Sequence, residues 1–206
     1  ASGLIGGLLV KELIKDPTIS QINFVSRSPV SILHEKIEVF KLDFLNTKEM
    51  ENCIRNSSTV FSAIGTTKAK VGGDKAAYRE IDYSINLLIA KSCLKLKITQ
   101  FQLVSSGGAD ASSNNFYLKL KGEIERDIFD LRLPAALIFR PSLLLGKRNE
   151  FRFGERIAQI LMPLFLLSKN YKPIKAELVA KQMNSFAKLN LKGNHIISNS
   201  ELLEGV

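Results

Sequence analysis

Tryptophan is absent from this chain of 206 residues, and cysteine and histidine occur only twice each. Cys53 and Cys93 stand far apart, with no Cys-x-x-Cys motif and no histidine near them, which argues against a zinc site and favours a reducing compartment. Low-complexity segments and internal repeats are also lacking, which excludes a disordered chain and a repeat architecture. A hydrophobic content of 45% suits a single globular domain over residues 1–206, with a substantial core.

Long hydrophobic runs are scarce as well. The most apolar late stretch, residues 157–167, is too short to span a bilayer and contains Pro163, so we predict no transmembrane segment. We interpret it as a core or interface helix, with a membrane-surface or partner-binding patch as the alternative. The opening residues lack the basic region and apolar run of a secretory signal peptide. We therefore expect a cytoplasmic protein.

The chain has an excess of positive charge, with a formal net charge of +9 at neutral pH. Such a charge permits binding to nucleic acid or to anionic membranes. The lysines and arginines are scattered, however, and no aromatic-interleaved basic motif of the kind that binds RNA is present. We expect a solvated basic surface that partly serves an anionic cofactor, and no nucleic-acid partner.

Predicted helices and strands alternate along the chain. Periodicity predicts helices at residues 4–15, 47–55, 74–96, 114–131, 153–167 and 177–189. Short apolar runs predict strands at residues 22–26, 38–42, 59–64, 100–105, 135–140 and 195–197. Several of these strands are continuously apolar, which indicates a parallel sheet buried by helices on both faces. The sequence therefore predicts an α/β fold with a doubly wound, Rossmann-like sheet, whose ligands bind at the carboxyl ends of the strands.

The chain opens on half of a dinucleotide-binding motif. Gly3 and Gly6 have the spacing of the last two glycines in a Gly-x-x-Gly-x-x-Gly turn, where the backbone approaches a pyrophosphate at a helix N-terminus. The first glycine would fall just before Ala1, so we expect a glycine there, preceded by an apolar strand that completes the sheet. Alone, the half-motif is equally typical of a plain strand-to-helix turn.

The end of the strand at 22–26 bears on cofactor choice. Rossmann sites that prefer NAD place an acidic residue there for the ribose 2′-hydroxyl. This chain has Ser26-Arg27-Ser28 instead, which suits a 2′-phosphate and favours NADP(H) over NAD(H). An arginine on a surface loop is the alternative. Asp43, after the next strand, is placed to bond the adenine or simply to cap a helix.

Tyr117 and Lys121 are four residues apart in a predicted helix, so they share one helix face. A cationic lysine beside a tyrosine, together with the positive nicotinamide of an oxidised cofactor, favours the ionised phenol and suits general acid/base chemistry. The same spacing recurs from Tyr171 to Lys175, but Pro173 lies inside that segment and disfavours a regular helix. Tyr117 is therefore the better candidate.

The strand that precedes Tyr117 ends in Ser105-Ser106. A serine at this point can donate a hydrogen bond to a substrate carbonyl oxygen and polarise it. We prefer Ser106, which lies one step further beyond the strand. Each of these features alone is more often structural than catalytic, but their order along the chain favours carbonyl redox chemistry.

Further motifs extend this pattern. They are Gly-Thr-Thr-Lys-Ala-Lys-Val-Gly at 65–72, Ile81-Asp82, Val-Ser-Ser-Gly-Gly-Ala-Asp at 104–110, Ser113, Gly122-Glu123, Phe-Arg-Pro-Ser at 139–142 and Gly-Lys-Arg at 146–148. With these residues, from Gly3 to about Glu155, the chain resembles the short-chain dehydrogenase/reductase superfamily. It is most similar to the atypical branch that contains the human Tat-interacting oxidoreductase-like protein and its bacterial and fungal relatives. The 65–72 segment is particular to that branch.

The resemblance implies an NAD(P)-binding Rossmann fold and assigns roles to residues. The catalytic residues would be Ser106, Tyr117 and Lys121. The cofactor-binding residues would be Gly3, Leu4, Ile5, Gly6, Arg27, Asp43, Phe44, Gly65, Thr66, Ser105, Lys121, Arg140, Pro141 and Ser142. Substrate pockets in this superfamily are built by the variable C-terminal part, so we expect residues 150–206 to form a small substrate-side extension, with 151–168 as the pocket wall. Asp82 is a departure, since many relatives in other branches have asparagine there.

Three functions are compatible with these motifs. The first is an NADP(H)-dependent oxidoreductase that transfers hydride to or from a small carbonyl or alcohol substrate. The second is a non-catalytic, NADPH-binding redox sensor that acts through a protein partner, because members of this branch are described as protein-interacting. The third is a nucleotide-sugar-type epimerase or lyase that uses the same site. We expect a monomer or homodimer, and no metal.

Overall fold

A computed structural model of the chain describes residues 3–146 and 169–205. The predicted helix at 153–167 and the predicted pocket wall at 151–168 lie outside the described residues. The elements in chain order are α1 (Leu4–Lys15), β1 (Ile22–Ser26), β2 (Ile37–Lys41), α2 (Thr47–Ile54), β3 (Thr59–Ser62), α3 (Lys75–Arg79), a π-helical segment (Glu80–Ser84), α4 (Ile85–Lys95), β4 (Gln100–Val104), α5 (Phe116–Asp130), β5 (Ala135–Arg140), β6 (Leu144–Leu145), a 3-10 turn (Lys169–Tyr171), β7 (Ile174–Lys175), α6 (Ala176–Ala187), β8 (Gly193–Ser198) and α7 (Asn199–Glu204).

Every strand pairing in the described ranges is parallel. Strands β3, β4, β5 and β8 lie side by side in that order, β1 pairs with β2, and the short β6 pairs with β7. The strand predicted upstream of Ala1 lies outside the described residues. The parallel sheet with its flanking helices confirms the predicted α/β fold.

The core lies on both faces of the sheet, as the alternation along β5 shows. Ala136 and Ile138 point into one apolar cluster, with the buried faces of α2, α4 and α5. Leu137 and Phe139 point into another, with α1 and α6. Successive residues of a strand face opposite sides, so a strand buried on both faces reads as a continuous apolar run. Helices therefore cover both faces, as predicted for a doubly wound sheet.

Differences from the predicted elements are small and local. The predicted helix at 74–96 exists, but it is interrupted by the π-helical segment. The β6–β7 pair and α7 were not predicted, because segments this short show no periodicity. None of the helices within residues 3–146 and 169–205 is long and apolar enough to cross a membrane.

Helix α5 and the loop after β4 approach each other closely at Gly122. A Cβ atom added to Gly122 would overlap with the backbone of Asp110 and Ala111, so only glycine permits the approach. The backbone N–H of Asp110 donates to the carbonyl of Leu118 at 3.0 Å, which ties the loop to the same helix. This contact fixes the end of β4 relative to Lys121, the residue before Gly122.

Replacing Gly122 by alanine is expected to lower the free energy of unfolding by about 3 kcal/mol, because overlap with the loop backbone exceeds the ~1 kcal/mol that alanine gains over glycine in a helix. Urea denaturation followed by circular dichroism measures the change. Lys119→Ala, at an exposed position of the same helix, is the control and should change stability by less than about 0.5 kcal/mol. A Gly122→Ala variant as stable as the parent would contradict the close approach.

Asp16 joins the end of α1 to α6. Its buried carboxylate accepts hydrogen bonds from Lys188 Nζ at 2.8 Å and Asn184 Nδ2 at 2.9 Å, as well as from the backbone and hydroxyl of Thr18. The bond from Lys188, followed by those from Thr18 and Asn184, holds the pKa of the Asp16 carboxyl well below its ordinary value. The charged form of Asp16 therefore stabilises the folded chain.

Asp16→Asn is expected to destabilise the protein at neutral pH and to do so progressively less in acid. A carboxyl whose pKa is lowered by folding contributes stability that is present above its unfolded pKa of about 3.9 and is lost as the pH falls below it. Unfolding midpoints in urea at about pH 7 and about pH 3 compare the variant with the parent. Asp130→Asn, at an exposed position, is the control. An equal loss at both pH values would refute a charge-dependent contribution.

Candidate functional site

Tyr117 and Lys121 lie on the first turns of α5, as predicted. The helix begins there because the side chain of Asn115 accepts hydrogen bonds from the backbone N–H groups of Tyr117 and Leu118, at 3.0 and 3.2 Å. Lys121 follows one turn later, with Nζ 5.9 Å from the centre of the Tyr117 ring. Tyr117 is half-buried, whereas Lys121 is only 5% exposed. The structure thus brings together two of the three predicted catalytic residues.

Lys121 forms a buried ion pair with Asp82. Its Nζ lies 2.8 Å from Asp82 Oδ1, and Asp82 is only 2% exposed. Burial by itself disfavours the ammonium, but the charge of Asp82, with contributions from Tyr117 and Glu125, outweighs it and raises the pKa of Lys121. Lys121 is therefore a cation within the site.

The loop after β3 is held against the same carboxylate. The backbone N–H of Thr66 donates to Asp82 Oδ2 at 2.7 Å. A Cβ atom on the preceding residue, Gly65, would stand 3.3 Å from Asp82 Oδ1, which is a tight contact. Gly65 and Thr66, both predicted to bind the cofactor, consequently lie beside Lys121.

Tyr78 forms one side of the site and was not predicted. Its ring meets that of Tyr117 edge to face, with centroids 6.5 Å apart, and its hydroxyl donates to the carbonyl of Thr66 at 3.1 Å. Burial, followed by the charges of Asp82 and Tyr117, raises the pKa of Tyr78 far above its ordinary value. The Tyr78 hydroxyl therefore stays protonated, and the Tyr78 ring packs against one side of Tyr117.

The two serines at the end of β4 differ in their hydrogen bonds. Ser105 donates to the buried carboxylate of Glu125, which also accepts from Arg140 Nε at 3.0 Å. Ser106 donates to the carbonyl of Gly107, the next residue, at 3.2 Å. Ser105 and Arg140, both predicted to contact the cofactor, thus bond to a side chain of α5, and Ser106 has a purely local bond.

The predicted residues after β5 also have partners within the fold. The carbonyl of Pro141 accepts from the backbone N–H of Gly107 at 2.8 Å. The backbone N–H of Ser142 donates to Asn199 Oδ1 at 2.9 Å, and its hydroxyl bonds to the carbonyl of Lys172. These bonds hold the end of β5 beside the end of β4.

The ends of β1 and β2 line an open depression of about 470 Å³. Arg27 and Asp43, both predicted, line it together with Lys41, which was not predicted, and Leu42 and Glu49 complete the lining. Lys41 is the register partner of Ser26, the residue before Arg27, so the two cations come from adjacent strand ends. The predicted Phe44 is buried, with its ring centre 5.8 Å from the Arg27 guanidinium carbon. The Asp43 carboxylate accepts from a backbone N–H two residues on, at 3.0 Å, as a turn-forming residue does.

The N-terminus of α1 lies at the carboxyl end of β3. Gly3 occupies the cap position, and a Cβ atom on it would stand 3.9 Å from the carbonyl oxygen of Ala63, just after β3. Leu4, Ile5 and Gly6 form the first turn, whose backbone N–H groups have no partner within an α-helix. A helix N-terminus of this kind favours an anion.

Three residues of this site, Tyr78, Lys41 and Glu125, were missed from the sequence, and so was the pairing of Asp82 with Lys121. Glu125 repeats the four-residue spacing of Tyr117 and Lys121, so that spacing could have found it. Lys41 ends a strand, but only the sheet register places it beside Arg27. No local pattern marks Tyr78 or the partner of Asp82.

Comparison with known proteins identifies the family of this chain. A family model described as NAD(P)H-binding matches residues 1–136. A Candida albicans protein named "Protein FMP52, mitochondrial" is 35% identical, over 94% of this chain and 87% of its own length. A Debaryomyces hansenii protein of the same name is 40% identical over 73% of this chain, and the match spans 66% of that protein, just under two thirds.

Solved structures with low sequence identity share the fold. UDP-N-acetylglucosamine 4-epimerase from Methanobrevibacter ruminantium superposes with a TM-score of 0.72 at 15% identity, covering 95% of this chain and 73% of the other. Uronate dehydrogenase from Agrobacterium tumefaciens gives 0.69 at 11% identity, covering 95% and 72%. At these identities the likeness supports the Rossmann-like fold alone.

The predicted cytoplasmic location is wrong. The curated relatives are named mitochondrial. The prediction was based on the lack of a secretory signal peptide, and that lack carries no information about import into mitochondria.

Proposed function

Since the chain belongs to the NAD(P)H-binding family and to the atypical short-chain dehydrogenases/reductases that include the fungal FMP52 proteins, we propose that it is an NADP(H)-dependent oxidoreductase. It transfers hydride to or from a small carbonyl or alcohol substrate. The observation that carries the proposal is Tyr117, half-buried beside the buried Lys121 cation at the carboxyl edge of a parallel sheet. In line with the names of its relatives, we propose that it acts in mitochondria.

The residues at this edge fit a dinucleotide. The first turn of α1 would face the pyrophosphate, and Arg27 and Lys41 would meet a 2′-phosphate across the depression they line. Gly65 would admit the ribose side, since its position carries no side chain beside Asp82. When bound, the nicotinamide nucleotide would supply or accept the hydride.

The protein's own groups would handle the substrate oxygen and its proton. The Tyr117 hydroxyl would donate a proton to the carbonyl oxygen in reduction and accept one from the alcohol in oxidation. Lys121, whose Nζ lies 5.9 Å from the centre of the Tyr117 ring, would bond the nicotinamide ribose. Ser106, whose hydroxyl has only a local partner, would hydrogen-bond the same substrate oxygen and polarise it.

Arg27→Ala and Lys41→Ala are each expected to weaken NADPH binding by about tenfold and NADH binding by less than about twofold, because each removes a charged donor to the 2′-phosphate. Fluorescence titration with the two reduced nucleotides measures both affinities. Lys48→Ala, at an exposed position of the neighbouring α2, is the control and should affect neither. Equal losses for NADPH and NADH would refute the assignment of these cations to a 2′-phosphate.

Tyr117→Phe is expected to lower turnover by at least about a hundredfold while leaving NADPH affinity within about twofold, because it removes the acid/base hydroxyl and keeps the ring. NADPH oxidation over a panel of aldehydes and ketones measures turnover. Tyr171→Phe is the matched control: it has the same lysine spacing but ends the short 3-10 turn, and it should retain full activity.

The same assay separates the alternatives. Unchanged turnover in Tyr117→Phe would sink the proposed chemistry. Conversion of substrate with no net loss of NADPH would indicate an epimerase or lyase. A parent protein that binds NADPH and turns over no member of the panel would favour the non-catalytic redox sensor.

A further inference from the structure

Asp82 accepts hydrogen bonds through both carboxylate oxygens, and the two donors come from different parts of the site. Oδ1 lies 2.8 Å from Lys121 Nζ on α5, and Oδ2 lies 2.7 Å from the backbone N of Thr66 in the loop after β3. One buried side chain therefore connects the nucleotide-side loop to the lysine.

Only a carboxylate satisfies both donors. An asparagine offers one acceptor oxygen and an NH₂ group that can only donate. At position 82 that NH₂ group would face either the Thr66 N–H or the Lys121 ammonium, and the donor it faced would be left buried without an acceptor. The charge of Asp82 also compensates the buried ammonium, which an amide cannot do.

The position of Asp82 is itself fixed by neighbouring turns of the helix. One turn earlier, the Tyr78 hydroxyl donates to the carbonyl of Thr66 at 3.1 Å. One turn later, Asn86 Nδ2 donates to the backbone carbonyl of Asp82 at 2.9 Å and to that of Ile64 at 3.4 Å. The segment from Ile64 to Thr66 is thus bonded to three successive turns of one helix, and Lys121 is held to the middle one.

We propose that Asp82 is a positioning residue: it holds the Lys121 ammonium, in its charged form, in register with the Gly65–Thr66 loop, so that nucleotide affinity depends on Asp82 through Lys121. The proposal rests on the function proposed above, in which Lys121 and this loop contact the nucleotide.

Asp82 provides the main counter-charge of Lys121. The titratable groups that act on Lys121 are Asp82, from the π-helical segment, and Tyr117 and Glu125, from α5 itself. Glu125 is in turn paired with Arg140 from β5, so its charge is already compensated. Without Asp82 the burial of Lys121 would dominate, and burial alone lowers the pKa of an ammonium.

A double-mutant cycle tests the proposal, with Asp82→Asn, Lys121→Met and the double variant titrated with NADPH by fluorescence. If Asp82 acts through Lys121, each single variant binds NADPH about tenfold more weakly than the parent, and the double variant stays within about twofold of Lys121→Met. Glu80→Gln, at an exposed position of the same π-helical segment, should bind as the parent does. Losses that multiply to about a hundredfold in the double variant, or parental affinity in Asp82→Asn, would overturn the proposal.

A pH series adds a second measurement, because the pH dependence of NADPH affinity would not change if Asp82 had only a structural role. Between about pH 6 and about pH 9 the affinity of Asp82→Asn should fall as Lys121 loses its proton, while the parent and the double variant keep the same slope. An Asp82→Asn slope equal to that of the parent would count against the proposal.

The double variant also covers a failure of Asp82→Asn to fold, because it removes both buried charges and leaves neither unpaired. In that case a double variant whose NADPH affinity differs from that of Lys121→Met by more than about twofold overturns the proposal. The cycle needs no substrate, so an intact cycle without turnover would reject the oxidoreductase and retain the role of Asp82.

Discussion

The buried pair of Lys121 and Asp82 constrains the rest of this site. Removing two charges from water is costly, and their attraction compensates only when the geometry is good and further hydrogen bonds satisfy the remaining atoms. Here the second oxygen of Asp82 accepts from the Thr66 N–H, and Tyr78 and Asn86, on the neighbouring helix turns, bond the same loop. The end of β3, the π-helical segment and α5 must therefore keep one arrangement, because a shift of any of them would leave a buried charge unpaired.

The cations at the carboxyl ends of the strands differ in their exposure and in their partners. Arg27 and Lys41, at the ends of β1 and β2, line an open depression where an anionic group can reach them. Lys121, in contrast, is buried and carries its own counter-ion. The net charge of +9 thus includes cations of two kinds: those available to a phosphate, and one that is paired with Asp82 and lies beside Tyr117.

Residues that act through local spacing could be predicted from the sequence, and residues that act through tertiary contacts could not. The helix turn from Tyr117 to Lys121 and the apolar runs of the strands were predicted correctly, because both depend on neighbours along the chain. The contact of Asp82 with Lys121 joins two helices, and the proximity of Lys41 to Arg27 depends on strand register. The site roles themselves stay predictions, whereas the cytoplasmic location was contradicted by the names of the relatives.

The π-helical segment determines how the residues before it are oriented relative to the residues after it. A π-turn adds one residue to an α-helix, and each residue rotates the chain by about 100°. Tyr78 and Asp82 face the site, whereas Ile85 and Ile89 further along face the core. Removing one residue from Glu80–Ser84 would rotate Ile85 and Ile89 by about 100° relative to Tyr78 and Asp82. The extra residue therefore sets the angle between the side chains that line the candidate site and those that enter the core.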